Sequence, residues 1–248
     1  MKLYRVKDYQ ELSKKAASLL AAQIVAKPDA VLGLATGSTP VGTYEYLRKW
    51  HKDGILDFSG IRTMNLDEYR GISGENSQSY YYFMKENLFR HVNIREENTH
   101  IPDGEREDAD AVCREYEALI RSTGGVDMQL LGIGRNGHIG FNEPADTFPA
   151  ACHCVTLAKS TIEANRRFFE KEEDVPRQAY TMGIGTIMSA KKILLLASGE
   201  DKAEALYQMV CGPITPQMPA SVLQLHQDVT IIADEAALSE INLSEGKE

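Results

Sequence analysis

The sequence predicts an α/β protein with a single doubly wound, mostly parallel sheet and helices on both faces, a Rossmann-like architecture. Two observations predict it. Short apolar segments alternate with amphipathic helical segments along the chain, which is typical of helices that cross over between parallel strands. Several apolar segments also run directly into loops rich in glycine, serine and threonine. No internal repeat, low-complexity segment or Pro/Gly-rich linker divides the chain, so we expect one domain over residues 1–248.

The strand candidates are short and largely apolar. Runs such as Ala30–Ala35 and the one containing Leu130, Leu131 and Ile133 suit strands that are covered on both faces of a parallel sheet. The remaining strand candidates are Ile61–Leu66, Thr99–Ile101, Cys152–Leu157, Lys192–Ala197 and Val229–Ala233.

Helical patterns separate these strands. Asp8 and Glu11 resemble a capping box at the start of the first helix, which Pro28 ends. Gly124 and Gly125 stop the helix before the central strand. The predicted helices are Asp8–Lys27, Thr43–His51, Ser77–His91, Asp110–Arg121, Ser160–Phe169 and Asp201–Val210.

The composition limits the classes of function. Apolar residues at 43% and charged residues at 25% are ordinary for a soluble globular protein. The formal net charge of −9 argues against a nucleic acid partner, whose recognition usually needs a basic face. No run approaches the roughly 18 apolar residues of a membrane span, and the start of the chain is too polar for a signal peptide. We therefore expect a cytoplasmic protein with no membrane association.

The four cysteines are too few and too irregularly placed for a disulfide framework or a zinc site. Cys152 and Cys154 supply two thiols, but no second pair of ligands is evident. Reduced thiols and no metal site are the expectation.

The stretch Leu130–Pro144 (LLGIGRNGHIGFNEP) is the strongest candidate for an active-site loop. Four glycines follow the apolar run within nine residues, namely Gly132, Gly134, Gly137 and Gly140. Asn136, His138 and Glu143 stand among them and bring side chains that donate, shuttle or accept protons. A strand that ends in such a loop is typical of an active site at the carboxyl edge of an α/β sheet. The alternative is a glycine-rich turn with a surface histidine.

A second strand–loop–helix unit is a candidate phosphate site. Ala30–Ala35 runs into Thr36-Gly-Ser-Thr-Pro40, and the next helix follows. Backbone N–H groups and hydroxyls at a helix N-terminus favour an anion. The segment is neither a Walker loop nor GxGxxG. The alternative is an ordinary turn in which Ser38 or Thr39 caps the helix.

Asp67 and Glu68 follow the strand Ile61–Leu66. Neighbouring side chains on an extended chain point to opposite sides, so we expect one acid to face a cleft and the other to pair elsewhere. The aromatic side chains of the following helix, Tyr80 and Phe83 among them, have helical spacing and are predicted to pack in the core rather than form a stacking surface.

Three segments together resemble the glucosamine-6-phosphate deaminase family, also called isomerases. They are Leu32–Pro40 (LGLATGSTP), Asn65–Tyr69 (NLDEY) and Gly132–Pro144 (GIGRNGHIGFNEP). The combination of NLDEY with GHIGFNEP is highly specific, and the likeness extends over almost the whole chain. The resemblance implies a cofactor-independent enzyme of amino sugar catabolism that converts glucosamine 6-phosphate and water to fructose 6-phosphate and ammonia.

The resemblance also implies residue roles. Asp67 matches the enolisation base that takes a proton from C2 and returns it to C1. His138 suits the proton transfer of ring opening because imidazole exchanges protons near neutral pH, with Glu143 orienting it and Asn136 as a hydrogen-bonding partner. The residues that match the family's phosphate contacts are Thr36, Gly37, Ser38, Thr39, Arg167 and Lys202.

Two departures from the family pattern have consequences. Asn136 stands where part of the family has aspartate, so it orients the relay without carrying charge. The basic pair that binds an allosteric activator in some members falls on His153 and Val155. We therefore expect weak or absent activation by an amino sugar phosphate, and a monomer or low homo-oligomer.

A lid is predicted around residues 144–176, a charged and less regular span next to the site.

Two other functions fit the same fold. Sugar-phosphate-sensing domains of transcription regulators bind without turnover, but the Asp67, His138 and Glu143 set argues against a sensor. A 6-phosphogluconolactonase would use the same phosphate site but needs no base at C2, so Asp67 discriminates between the two enzymes.

Overall fold

A computed structural model describes residues 1–157, 162, 166, 171 and 175–241. Its strands are β1 (Lys2–Val6), β2 (Val31–Leu34), β3 (Arg62–Asn65), β4 (Asp67–Arg70), β5 (Thr99–His100), β6 (Met128–Gly132), β7 (His153–Thr156), β8 (Gln178–Thr181), β9 (Ile193–Ala197) and β10 (Val229–Asp234). Seven of them pair in parallel in the order β1-β10-β9-β6-β2-β3-β5. The predicted fold class, a doubly wound parallel α/β sheet, is confirmed.

Helices cover both faces of this sheet. They are α1 (Tyr9–Ala26), α2 (Val41–Lys52), α3 (Tyr80–Asn87), α4 (Ala109–Ser122) and the shorter helices Ile184–Met188 and Ala203–Cys211. The apolar faces of α1, α2 and α3 pack in one buried cluster, and those of α4 and the two shorter helices pack in another. Alternate residues of each strand enter the two clusters, because successive side chains point to opposite faces. For example, Leu130 belongs to the first cluster and Leu131 to the second.

The sheet reverses its winding between β2 and β6. The chain leaves β2 through α2 to β3 on one side, whereas β6 leads on towards β9 and β10 on the other. The loops after β2 and β6 therefore diverge and leave a crevice at the carboxyl ends of these strands. In open α/β sheets this is the usual position of a ligand site.

A second, antiparallel sheet of three strands, in the order β4-β8-β7, lies beside the main one. Asp67 pairs with Thr181 at one end of the β4–β8 ladder. This sheet was not predicted, since β4 reads Asp-Glu-Tyr-Arg and has no apolar pattern. The edge strand β1 was missed for the same reason: Lys2, Tyr4 and Arg5 are exposed, which leaves only Leu3 and Val6 as half-buried apolar residues.

Other elements differ from the sequence prediction in detail. The predicted helix Ser77–His91 is divided into α3 and a 3₁₀ turn at Phe89–His91. The 3₁₀ segment Pro219–Leu225 and the helix Ile184–Met188 were not predicted. Apart from Ile162 and Arg166, the predicted helix Ser160–Phe169 lies outside the described residues, as does much of the second half of the predicted lid.

All four cysteines are free thiols, as expected. Within the part of the chain that the structure describes, no helix has the length and apolar character needed to cross a membrane.

A buried carboxylate ties together the opposite, amino-terminal edge of the main sheet. Asp127 is 4% exposed and accepts hydrogen bonds from Lys27 Nζ at 2.6 Å and from Lys191 Nζ at 2.7 Å. It also accepts the backbone N–H of Val31 at 2.8 Å. Burial alone would raise the pKa of Asp127, but these donors outweigh it and the pKa is lowered. The carboxylate thereby joins α1, β2, β6 and β9 at their ends.

The Asp127→Asn variant is expected to lower the free energy of unfolding by about 2 kcal/mol at pH 7, because an amide cannot serve both ammonium groups. When folding lowers the pKa of an acid, its ionised form stabilises the folded protein at pH values above the pKa that the acid has in the unfolded chain. The difference between the two proteins should therefore disappear as the pH falls below about 3.9.

Urea denaturation measures this difference. The control is Asp228→Asn, which removes an exposed ion pair to Lys2 with a separation of 3.6 Å and should change the free energy of unfolding by less than about 0.5 kcal/mol. Equal losses in the two variants would contradict the role given to Asp127.

Candidate active site

A cavity of about 250 Å³ opens at the carboxyl edge of the main sheet, where the winding reverses. The loops after β2, β3 and β6 form it together. Its lining residues are Ala35, Thr36, Gly37, Ser38, Thr39, Leu66, Asp67, Tyr80, Gly132, Ile133, Gly134, His138, Gly140 and Phe141. The sequence-predicted candidates Thr36–Thr39, Asp67 and His138 are thus brought to one space from three separate parts of the chain.

The loop after β2 presents polar groups to this cavity. Gly37 has a φ of +90°, a conformation that glycine adopts readily, and it lets the chain turn sharply between β2 and α2. No side chain caps α2, whose N-cap residue is Pro40. The alternative in which Ser38 or Thr39 caps the helix is therefore not observed. Both residues face the cavity beside the positive end of the helix dipole, an arrangement that favours an anion.

Two tyrosines hold this loop in place. The hydroxyl of Tyr44 donates to the carbonyl of Ala35 at 2.6 Å. The hydroxyl of Tyr9 donates to the carbonyl of Ser38 at 2.9 Å and accepts the N–H of Gly42 at 2.9 Å. These bonds satisfy polar backbone groups on the inner side of the loop, so the loop is fixed before any ligand arrives.

Asp67 and Glu68 diverge as expected for neighbours on an extended strand. Asp67 lines the cavity and is 7% exposed. Burial, with a smaller effect from the charge of Glu68, raises the pKa of Asp67 to about 8. Glu68 turns away and accepts the backbone N–H groups of Tyr69, Tyr80 and Tyr81 at 2.8–2.9 Å. Burial raises the pKa of Glu68 to about 7, although these three donors act in the opposite direction.

The structure assembles His138, Asn136 and Glu143 into one hydrogen-bonded group. Nδ1 of His138 lies 2.7 Å from Oδ1 of Asn136 and 3.4 Å from Oε1 of Glu143. Nδ2 of Asn136 donates to Oε2 of Glu143 at 2.5 Å. Hydrogen bonding to His138 is the main cause that lowers the pKa of Glu143, and Asn136 adds to it. The carboxylate therefore stays ionised in this group.

These contacts fix the tautomer of the imidazole. Both oxygen atoms near Nδ1 are acceptors, so Nδ1 carries the proton and Nε2 keeps its lone pair. Gly134 makes room for the ring, since a Cβ atom there would lie 2.2 Å from its Cε1. In this tautomer His138 presents Nε2 at the cavity wall, where it can take a proton and give it back.

Aromatic side chains close one side of the cavity. The rings of Tyr80 and Phe141 stack with their planes 5° apart and their centroids at 6.1 Å, and Tyr69 packs against both. Tyr80 packs against a small buried cluster that contains Tyr69 and Ile72, and Phe83 packs against the buried cluster of the main sheet, as the prediction of core packing expects. The prediction did not include the second role of Tyr80, which also lines the cavity and stacks on Phe141.

Of the predicted site residues that the structure describes, Asn136, Glu143 and Lys202 do not line the cavity. Arg167 lies outside the described residues. Lys202 precedes the helix Ala203–Cys211, with Nζ 3.5 Å from Asp201, a carboxylate that Arg135 also binds at 2.8 Å. Glu143 lies behind His138 and lines a neighbouring cavity instead.

That neighbouring cavity has a volume of about 210 Å³ and is bounded by the segments Phe141–Ala145 and His153–Leu157. His153 and Val155 both line it, together with Pro149. At this position the chain supplies one imidazole and one aliphatic side chain in place of a basic pair. The cavity thus offers little fixed positive charge to an anionic effector.

No group of three or more His, Cys, Asp or Glu side chains in the described part of the chain is arranged to hold a metal ion.

The chain matches the family described as glucosamine-6-phosphate isomerases/6-phosphogluconolactonase over residues 7–232. It is 58% identical to a glucosamine-6-phosphate deaminase of Clostridioides difficile (strain 630) over 242 residues, or 98% of this chain and 97% of the relative. It is 55% identical to one of Thermoanaerobacter sp. (strain X514), over 96% of this chain and 94% of the relative.

Solved structures show the same likeness. A monomeric glucosamine-6-phosphate deaminase superposes with a TM-score of 0.92 and 49% identity, covering 97% of this chain and all of the other. A 6-phosphogluconolactonase of Trypanosoma brucei superposes with a TM-score of 0.76 at 19% identity over 97% of this chain and 98% of the other. The second similarity shows a shared fold alone.

The buried position of Asp67 carries a stability cost that a neutral side chain removes. At acid pH Asp67 is protonated in the folded and the unfolded protein. Between about pH 4 and pH 8 only the unfolded chain ionises. Asp67→Asn should therefore stabilise the fold increasingly over this range, by on the order of 5 kcal/mol at pH 8, and the gain should level off above it.

Urea denaturation at several pH values measures this gain. Asp127→Asn serves as the control of opposite sign, because folding lowers the pKa of that aspartate. If the gain in the free energy of unfolding for Asp67→Asn does not vary between pH 5 and 8, folding does not raise the pKa of Asp67.

Proposed function

The chain belongs to the glucosamine-6-phosphate isomerase/6-phosphogluconolactonase family, and we propose that Asp67, His138, Asn136 and Glu143 carry out the glucosamine-6-phosphate deaminase reaction in its cavity. The protein is an enzyme of amino sugar metabolism that converts glucosamine 6-phosphate to fructose 6-phosphate and ammonia. The observation that supports the residue assignment is the placement of a buried carboxyl and an imidazole in one cavity beside a helix N-terminus that no side chain caps.

Ring opening is the step we assign to His138. Nε2 takes the proton of the anomeric hydroxyl and returns it to the ring oxygen as the ring bond breaks, which yields the open-chain aldehyde. Asn136 and Glu143 keep the opposite nitrogen protonated throughout, so the ring never needs to rotate or change tautomer. Glu143 also stabilises the imidazolium that forms transiently.

Proton transfer between C2 and C1 is the step we assign to Asp67. The carboxylate removes the proton from C2, and the C2–H electron pair forms the C1–C2 double bond of an enolamine. The π pair of the C1 carbonyl moves to O1, which takes up a proton given up by the substrate's ammonium group. Asp67 then returns its proton to C1, which leaves a protonated imine at C2. Its raised pKa makes Asp67 a stronger base than an exposed aspartate, and a base is most effective when its pKa lies near the working pH.

Release of ammonia completes the reaction. Water adds to the C2 imine, the carbon–nitrogen bond breaks, and the ketone of fructose 6-phosphate remains.

The ammonium group of the substrate lies on the carbon next to the aldehyde, close to the proton that Asp67 removes. Its positive charge favours the ionised form of Asp67 as soon as the substrate binds.

The phosphate of the substrate is the anion that we assign to the loop Thr36–Thr39. Backbone N–H groups and hydroxyls at the start of α2 supply the donors there. Arg167 and Lys202 remain the proposed cationic contacts, matched by the family pattern. The stacked pair of Tyr80 and Phe141 faces the same space and supplies an apolar wall for the carbon chain of the sugar.

We propose that the protein acts in the cytoplasm as a monomer or low homo-oligomer and binds neither nucleic acid nor membranes. The net charge of −9 and the monomeric relative support this proposal. Weak or absent activation by an amino sugar phosphate is proposed as well, because Val155 removes one of the two basic positions from the neighbouring cavity.

Ammonia release from glucosamine 6-phosphate, with and without added N-acetylglucosamine 6-phosphate, tests this function. We expect hyperbolic kinetics that the additive does not change, and a loss of at least ~1000-fold in kcat for Asp67→Asn, which cannot remove the C2 proton. Asp127→Asn is the control, since it changes a buried aspartate at the opposite edge of the sheet.

Two outcomes would overturn the proposal. Folded wild-type protein that hydrolyses 6-phosphogluconolactone, and keeps that activity in Asp67→Asn while releasing no ammonia, would make it a lactonase. Turnover that appears only with the additive would refute the argument from Val155.

The pH dependence of turnover should report the environment of Asp67. Activity requires its ionised form, so kcat/KM should fall below about pH 8 once the titration of the free substrate is taken into account. In the complex the substrate ammonium favours the carboxylate, so the acid limb of kcat should lie at lower pH than that of kcat/KM. Coincident limbs would show that no positive charge approaches Asp67.

A further inference from the structure

Glu68 is a buried carboxylate next to the proposed base, and none of the steps above uses it. It is 2% exposed. Oε1 accepts the N–H groups of Tyr69 at 2.8 Å and Tyr80 at 2.9 Å, and Oε2 accepts that of Tyr81 at 2.8 Å. A carboxylate that accepts several backbone N–H groups is held in one orientation. Glu68 therefore joins β4 to the first turn of α3.

The segment that Glu68 holds forms a wall of the cavity. Tyr80 begins α3, lines the cavity and stacks on Phe141. Ser79 caps the same helix end: its hydroxyl accepts the N–H of Tyr82 at 3.0 Å and donates to Gly74 at 3.0 Å. Two side chains thus hold this helix end, but only Glu68 brings a charge next to Asp67.

We propose that Glu68 is a positioning residue for Asp67: its buried carboxylate fixes the Tyr80 wall of the cavity and sets a negative charge beside the base. The hydrogen bonds above carry the first part of this proposal, and the adjacency of the two acids on β4 carries the second. The proposal rests on the proposed function, because it assigns a role in the proton transfer at C2.

The charge of Glu68 raises the pKa of Asp67, and other titratable groups lie around the two acids. Glu68 adjoins Asp67 along β4, with its side chain on the other side of the strand. The titratable groups on the side of Asp67 are Tyr80 of α3, Tyr116 of α4 and His138 of the loop after β6. On its outer side Glu68 faces Tyr81, Glu75, Asp103 and Glu105 around a separate cavity, and Gly104 packs against its side chain. Among these carboxylates, Glu68 alone adjoins Asp67 along the strand. Removing it should make Asp67 ionise more easily.

The test compares Glu68→Gln with Ser79→Ala. Both variants weaken the same end of α3, and only the first removes the charge. For Glu68→Gln we expect the acid limb of kcat/KM on glucosamine 6-phosphate to move to lower pH by about one unit, with kcat on the plateau reduced at least ~10-fold. For Ser79→Ala we expect the acid limb of the wild type.

An unshifted acid limb in folded Glu68→Gln, or an equal shift in Ser79→Ala, would overturn the proposal. Carboxyl ¹³C titration of the unliganded wild-type protein gives a second test that does not depend on the variant's folding or on activity. The carboxyl ¹³C shift of each acid should follow a two-step titration curve, because the two groups are coupled. An Asp67 curve that shows no step when Glu68 titrates would also overturn the proposal. Wild-type protein that releases no ammonia would instead refute the proposed function, and the titration would still decide the coupling.

Discussion

The burial of two consecutive carboxyl groups is the constraint on which the active-site architecture depends. Unpaired buried charge is unfavourable, and two like charges on neighbouring residues add to the cost. The chain meets this constraint by pairing β4 in an extended conformation with β8, which turns the two side chains to opposite sides. Glu68 obtains three backbone donors, and Asp67 reaches the cavity with its pKa raised to about 8.

The antiparallel sheet thus supplements the parallel one in a specific way. The parallel sheet places the loops after β2 and β6 at the reversal of winding and so brings the loop Thr36–Thr39 to the same cavity as His138. The antiparallel sheet then places Asp67 on a regular strand at the rim of that crevice. A site built on paired strands is held more rigidly than one on free loops. The Asn136–Glu143 pair adds the same rigidity to the imidazole.

The sequence predicted the parallel sheet and the crossover helices, because apolar runs and amphipathic segments give local signals. It also named Thr36–Thr39, Asp67 and His138 as site candidates, and the structure brings these residues to one cavity. It did not predict the antiparallel sheet, since the charged segment of β4 is extended only through its long-range pairing with β8. The wall formed by Tyr80 was missed for a related reason. Its position depends on Glu68, a contact between residues that helical periodicity does not connect.

The central claim is that one carboxylate, Asp67, moves the proton from C2 to C1 on one face of the open-chain sugar. The most direct measurement is the reaction in D₂O, followed by NMR analysis of C1 in the fructose 6-phosphate formed. A single base held on one face predicts that any deuterium at C1 occupies one of the two prochiral positions and never the other. That deuterium reaches C1 when the carboxyl proton exchanges with solvent before its return, whereas direct return of the C2 proton leaves C1 unlabelled. Equal labelling of both positions would contradict the account, because it would mean that protons reach C1 from solvent without a fixed carboxyl group.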